Sequence, residues 1–107
     1  HVRPVLDPSQ IGDRQKAFRM MDEYYELVIA LGGTTSGSGG DGRLRGPYLP
    51  RLYGEAMYGV LQQVKKIFDP HGTLNPGVKI DVSLDDIRPL LRNEYTIEKL
   101  SHYLPRT

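Results

Sequence analysis

Residues 31–50 read LGGTTSGSGGDGRLRGPYLP, from Leu31 to Pro50. The stretch links an apolar periodic segment to a run holding Arg43, Arg45, Tyr48 and two prolines, so it is a shaped loop rather than a bland linker. Glycine takes positive φ without strain and lets another backbone or a ligand approach closely. Gly32, Gly33, Gly37, Gly39, Gly40 and Gly42 together permit a tight course. Gly37, Gly39 and Gly42 satisfy the pattern GxGxxG, but a dinucleotide fingerprint also needs a strand before it and a helix opening at its last glycine. Here Arg43-Leu44-Arg45-Gly46-Pro47 follows, which starts no helix, and the segment before reads as helical. A phosphate-binding P-loop is excluded too, because no Gly-Lys-Ser/Thr follows.

Outward from the loop, Ala17, Met21, Tyr24, Val28 and Leu31 fall three or four residues apart, widened by Met20 and Tyr25. This is the stripe of an amphipathic helix over about 13–31, with Asp13 as its expected N-cap and Gly32 as its stop. Asp22, Glu23 and Glu26 form its solvated face. On the other side, Pro50 to Gly54 reads as a turn or a single helical turn. A second helix is expected over 55–68, with Ala56 or Met57, Val60, Leu61, Val64, Ile67 and Phe68 on one face. Lys65 and Lys66 lie near its negative end, and Asp69-Pro70 ends it.

The remaining segments are short. His1 to Leu6 alternates and carries β-formers, which predicts a short edge strand, followed by a turn at Asp7-Pro8-Ser9. His71 to Gly77 is turn chemistry. Ser83 with Asp86 resembles a capping box, Pro89 interrupts, and Thr96 is placed to cap a short helix ending near Tyr103.

The 107 residues suffice for one small domain or a piece of a larger one. A net charge of +1 with mixed signs gives no clustered basic footprint for nucleic acid. No apolar run approaches the roughly 20 residues needed to cross a bilayer. The absence of cysteine removes disulfide, thiolate and iron–sulfur chemistry from this chain and fits a reducing compartment, so a cytoplasmic location, with peripheral membrane contact allowed, is expected.

Two stretches taken together carry a resemblance. Ser36-Gly37-Ser38-Gly39-Gly40-Asp41-Gly42-Arg43 is followed by Pro47-Tyr48-Leu49, then by Asp69-Pro70-His71-Gly72-Thr73-Leu74-Asn75-Pro76-Gly77. In order and spacing these resemble S-G-E-H-G-x-G-R, a P-Y-L-like segment and D-P-x-G-x-L-N-P-G-K in the C-terminal (cap) part of flavin-linked oxidases of the vanillyl-alcohol oxidase type. That family includes D-lactate, glycolate and D-2-hydroxyglutarate dehydrogenases. The resemblance covers about residues 1–80, leaving 81–107 as a helical tail or connector.

What the resemblance implies is specific. FAD would be held mainly by a preceding domain, with Gly37, Gly40 and Asn75 facing the flavin. Arg43 and Arg45 are the candidates to bind the carboxylate of a 2-hydroxy acid. In relatives the loop's Glu helps bind a metal and its His is the candidate base, but these positions are Ser38 and Gly39 here. No catalytic residue is therefore assigned. His1, taken alone a solvated terminal residue, would be one of two histidine metal ligands under the resemblance. Lys79 lies beyond the position directly after Gly77, where the family has its lysine.

The expected fold is α+β, part of a ferredoxin-like cap domain: two main helices packing their stripes together over short strands that include His1 to Leu6. On that expectation Val64→Asp would bury an unpaired charge. The expected function is that of a substrate-cap fragment of an FAD-dependent oxidoreductase, inactive alone and partnered by the preceding FAD-binding domain and a small-molecule substrate. The rival is a noncatalytic module whose glycine loop binds an anion through backbone amides.

Overall fold

The computed structural model of the chain describes residues 3–91. Its elements follow in the order α1 (Ile11–Ala30), a 3-10 turn (Gly46–Tyr48), α2 (Leu49–Phe68), α3 (Leu84–Ile87) and a second 3-10 turn (Arg88–Leu90).

Before α1 the chain turns at Asp7, whose carboxylate accepts from the backbone N–H and hydroxyl of Ser9 at 3.0 and 2.6 Å. The helix starts earlier than its sequence suggests. Gln10 occupies the N-cap without a side-chain bond, and Asp13, inside the first turn, accepts from the N–H of Asp7 at 3.0 Å. Asp13 is thus a first-turn acid that ties the incoming chain to the helix, not the cap. The other end follows the sequence: Gly32 takes φ 74°, the N–H of Gly33 reaches Val28 O at 2.8 Å, and the N–H of Gly32 reaches Ile29 O at 3.0 Å. This pair of bonds is a Schellman motif, which satisfies two carbonyls that the helix end leaves free.

Pro50 stands in the first turn of α2, where its missing N–H costs nothing. At Gly54 (φ 76°, ψ 161°) the backbone leaves helical geometry, so α2 is a short turn of helix joined through a kink to a longer one. The sequence boundary at residue 55 corresponds to this kink. Lys65 and Lys66 lie in the last turn and Asp69 ends the helix. The capping box at α3 forms as read: Asp86 N–H donates to Ser83 Oγ at 3.2 Å, and Ser83 N–H donates to Asp86 Oδ2 at 2.8 Å.

Among the described residues there is no strand and no sheet, so the α+β expectation is corrected: the described chain is helices and turns. Residues 3–7 have no regular structure and Val5 is fully exposed. An extended segment becomes a strand only when a neighbouring strand takes its N–H and C=O groups, and among the described residues no strand lies beside it. His1, Val2, Thr96 and Tyr103 lie outside the described residues.

The stripes also fail to pack on each other. Of the first stripe Met20, Tyr24 and Leu31 are exposed and Ala17, Met21, Tyr25 and Val28 only half-buried, while Met57, Val60, Val64, Ile67 and Phe68 of α2 are exposed. The buried apolar side chains are instead Tyr48, Leu49 and Ile87, where the loop joins α2 and where α3 docks. Contact between α1 and the start of α2 runs through Tyr25 against Tyr48, with ring centroids 4.8 Å apart, and through Arg51 to Glu26 at 2.6 Å.

Candidate functional site

The glycine-rich loop is built around one carboxylate. Asp41 has a fully buried side chain that accepts from Ser36 Oγ at 2.8 Å, from Thr35 Oγ1 at 3.1 Å and from Lys79 Nζ at 3.1 Å. Burial pushes its carboxyl up, but the hydrogen bonds from Ser36, Lys79 and Thr35 and the ammonium charge outweigh that and hold it below the usual carboxylate range. Arg45 adds a second tie, donating to Thr35 O at 2.9 Å.

Above this base the loop folds into a tight turn. Gly40 N–H donates to Gly37 O at 3.0 Å, which makes Ser38 and Gly39 the two central residues of the turn, both exposed. Gly39 has φ 84° and Gly40 φ 68°. A Cβ placed on Gly37, Gly39, Gly40 or Gly42 would meet nothing within 4 Å, so the tip presents bare backbone to open space.

The loop then docks on the turn that follows α2. Lys79 N–H donates to Gly42 O at 2.9 Å, and Arg43 reaches Pro76 O at 3.4 Å. Gly46 sits so close to the far side that an added Cβ would stand 2.3 Å from Val82 Cγ1. That turn has its own carboxylate: Asp69 accepts from Lys65 Nζ at 2.6 Å and from the N–H groups of Thr73 and Leu74 at 2.9 Å each. The bond from Lys65, with those from Leu74 and Thr73, holds the Asp69 carboxyl well below its ordinary value against the opposing effect of burial.

Behind the loop, Tyr48 is buried with no hydrogen-bond partner for its hydroxyl among the described residues, near Asp22, whose Oδ1 also lacks a hydrogen bond but pairs with the Arg51 guanidinium at 3.7 Å. Burial first, and the charge of Asp22 second, push the Tyr48 hydroxyl above its usual range. Between the end of α1 and the loop a small hollow of about 190 Å³ is lined by Tyr24, Tyr25, Thr34, Ser38 and Arg45, among others.

The two stretches that carry the sequence resemblance thus meet in space, Arg43 of one reaching Pro76 O of the other, with Lys79, two residues past the second stretch, bound to Gly42 O. Compared with known proteins, residues 1–78 match the FAD linked oxidases, C-terminal domain. The chain belongs to that family. The FAD-linked oxidase C-terminal domain here is 34% identical over 96 residues to a D-2-hydroxyglutarate dehydrogenase of Pantoea ananatis, covering 90% of this chain and 9% of the relative. It is 38% identical over 77 residues to the Escherichia coli D-2-hydroxyglutarate dehydrogenase, covering 72% of this chain and 8% of that protein. The same identity over 77 residues relates it to the glycolate oxidase subunit GlcD of Bacillus subtilis, covering 72% of this chain and 16% of that one. No solved structure matches it significantly. The chain therefore spans less than a tenth of the length of the D-2-hydroxyglutarate dehydrogenases it matches.

The cofactor of this family is FAD. The residues present fit a flat ring approaching the loop, because Gly37, Gly39, Gly40 and Gly42 expose backbone without side chains. Gly37 and Gly40 lie at the two ends of the loop-tip turn, and Asn75 is exposed at φ 47° next to Pro76, which Arg43 touches. Arg43 is exposed, while Arg45 is half-buried and tied to Thr35. His1 lies outside the described residues, and among those described no group of three His, Cys, Asp or Glu side chains could hold a metal. None of the helices among the described residues is long and apolar enough to cross a membrane.

Sequence reasoning missed Asp41, Thr35, Lys79 and Asp69 as organising residues. Asp69 and Lys65 stand at helical spacing and were open to discovery as an ion pair. Asp41 and Lys79 are joined by folding alone, and no local pattern announces them.

Proposed function

We propose that this chain is the C-terminal cap part, over residues 1–80, of an FAD-dependent dehydrogenase of 2-hydroxy acids, with residues 81–107 as a connector. The glycine loop faces the flavin and substrate. The observation that carries the proposal is the reach of Arg43 in the first motif to Pro76 O in the second, beside the bond from Lys79 N–H to Gly42 O, which brings the two motifs together.

In this reading FAD, held mainly by the preceding domain, would supply the hydride acceptor for oxidation of the 2-hydroxy acid to its 2-oxo acid. Gly37, Gly40 and Asn75 would line the cofactor's face and exclude water there. Arg43, whose guanidinium has five N–H donors and spends one contact on Pro76 O, keeps enough to bind the substrate carboxylate. Arg45, spent in part on Thr35, shapes the loop and contributes charge. Neither Ser38 nor Gly39 can take the hydroxyl proton at neutral pH, so the base comes from outside this loop tip.

The absorbance spectrum of the purified parent protein tests the proposal. A bound flavin that is bleached by D-2-hydroxyglutarate, D-lactate or glycolate is the expected result. A flavin-free parent, or a flavin that none of the three reduces, overturns it.

The same substitutions bear on metal. A neutral serine hydroxyl neither offsets the charge of a divalent ion nor competes well with water as a ligand. Of the family's metal set, only His1 would come from this chain. The parent is expected to purify without stoichiometric metal, and elemental analysis finding one bound zinc or manganese per chain would contradict the role given to Ser38.

A further inference from the structure

We infer that Lys79, acting through Asp41, is a positioning residue that sets the Ser36–Gly42 turn against substrate and cofactor. The inference rests on the function proposed above.

Three observations lead to it. First, the Asp41 side chain is fully buried while Lys79 is half exposed, so this is not an ordinary surface ion pair. An exposed pair loses little when broken, whereas a buried carboxylate deprived of its cation keeps its charge and loses the group that offsets it. Second, Lys79 holds the loop twice. Its N–H binds Gly42 O at 2.9 Å and its ammonium binds Asp41 at 3.1 Å, so one residue fixes both backbone and side chain of the same turn. Third, Lys79 does this at φ 68°, a conformation that residues bearing a Cβ rarely adopt, and such outliers persist where the surrounding contacts over-determine them.

The loop has few other anchors. Ser36 donates to both Asp41 oxygens and Thr35 to one of them, so the two hydroxyls that shape the approach to the tip are themselves held by the carboxylate that Lys79 neutralises. From Gly37 to Gly40 the turn has a single backbone bond and only one side chain with heavy atoms beyond Cα, that of Ser38. Releasing Lys79 therefore frees the carboxylate to draw in water or to swing outward, and Ser36 and Thr35 move with it. The bare glycine face then no longer sits at a fixed distance from what it faces, and displacements of about 1 Å can cost about a hundredfold in rate.

The test uses the full-length parent protein with Lys79→Met, Lys79→Arg and Asp41→Asn. Two readouts are taken: hydrogen exchange at the amides of residues 36–42 without substrate, and flavin content with the kinetics of flavin reduction by D-2-hydroxyglutarate, D-lactate or glycolate. In Lys79→Met, exchange in the loop should rise roughly tenfold or more while α2 stays as protected as before. Flavin content should be retained and kcat should fall with less change in KM. Lys79→Arg should restore most of the rate, and Asp41→Asn combined with Lys79→Met should cost little more than either alone.

Unchanged loop exchange in Lys79→Met would overturn the inference. So would a loosened loop with unchanged flavin reduction, which would make the pair purely structural. A wild-type parent without flavin, or with a flavin that none of the three acids reduces, would instead refute the proposed function; the pair as a fixer of the loop would then stand or fall on the exchange data.

Discussion

Two buried aspartates, one at the base of each motif, hold the site together, and both have carboxyls lowered below their usual range. A lowered folded-state value means that the carboxylate stabilises the fold above its unfolded pKa, near 3.9, and loses that contribution as pH falls through the lower folded value. The loop and the following turn should therefore be insensitive to pH from 7 down to about 4.5 and loosen only in stronger acid. Exchange rates of the Thr73 and Leu74 amides, corrected for intrinsic pH dependence, would check this; loosening already near pH 6 would show that other groups are in control. Gly46 makes a steric prediction. A methyl there would stand 2.3 Å from Val82 Cγ1 and 3.1 Å from Lys79 O, so Gly46→Ala must push the loop off its turn. Overpacking of this kind costs about 1–3 kcal/mol. Thermal melting of the parent should reveal it, and an unshifted midpoint would mean that the contact yields freely.

The helices differ in how much of their form is local. The end of α1 is written in Gly32 and Gly33, and the box at Ser83 and Asp86 closes without help from distant residues. The kink in α2 is also local. Gly54 adopts φ 76° and ψ 161°, a combination almost confined to glycine, with open space where a Cβ would stand. Gly54→Ala should therefore cost about 1–3 kcal/mol through the backbone alone. If the variant melts like the wild type, the segment adapts by running helix straight through residue 54. The apolar stripes, by contrast, were legible as stripes while their partner was not. Periodicity identifies a face that needs cover but does not name what covers it.

At the scale of the molecule, many of the large apolar side chains among the described residues stay exposed. Ile67 and Phe68 are 73% and 79% exposed, and among the described residues the buried apolar set is Tyr48, Leu49 and Ile87. Monomeric soluble proteins rarely leave a patch of this kind uncovered. Purified alone, the 107-residue chain should retain helical circular dichroism, bind a hydrophobic dye and melt without a sharp transition. It should also fail to hold FAD, since a few contacts do not offset the entropy of association. A cooperative melt or low-micromolar FAD binding would contradict this. Val64 belongs to the same argument. At 47% exposure it is not a core position of this chain, so Val64→Asp should leave the isolated chain's dichroism nearly unchanged, contrary to the expectation from periodicity. A lowered melting temperature of the parent carrying the same substitution would show that the face is covered there.

By itself the sequence determined the two helices, the Gly32 stop, the Asp69-Pro70 end, the box at Ser83, and, through two motifs read together, the family. Each is a matter of neighbouring residues, of backbone freedom, hydrogen-bond supply and spacing within a few turns. It misled at Asp13, because a helix start is set by where the incoming chain lies, and at residues 3–6, because a strand exists only beside another. The tertiary structure alone decided that Lys79 would lie under Asp41, that Gly46 would press on Val82, and that the burial would gather at Tyr48 and Leu49 rather than between the stripes. These depend on contacts between segments far apart in sequence, whose choice is made by the shape and charge of the folded whole.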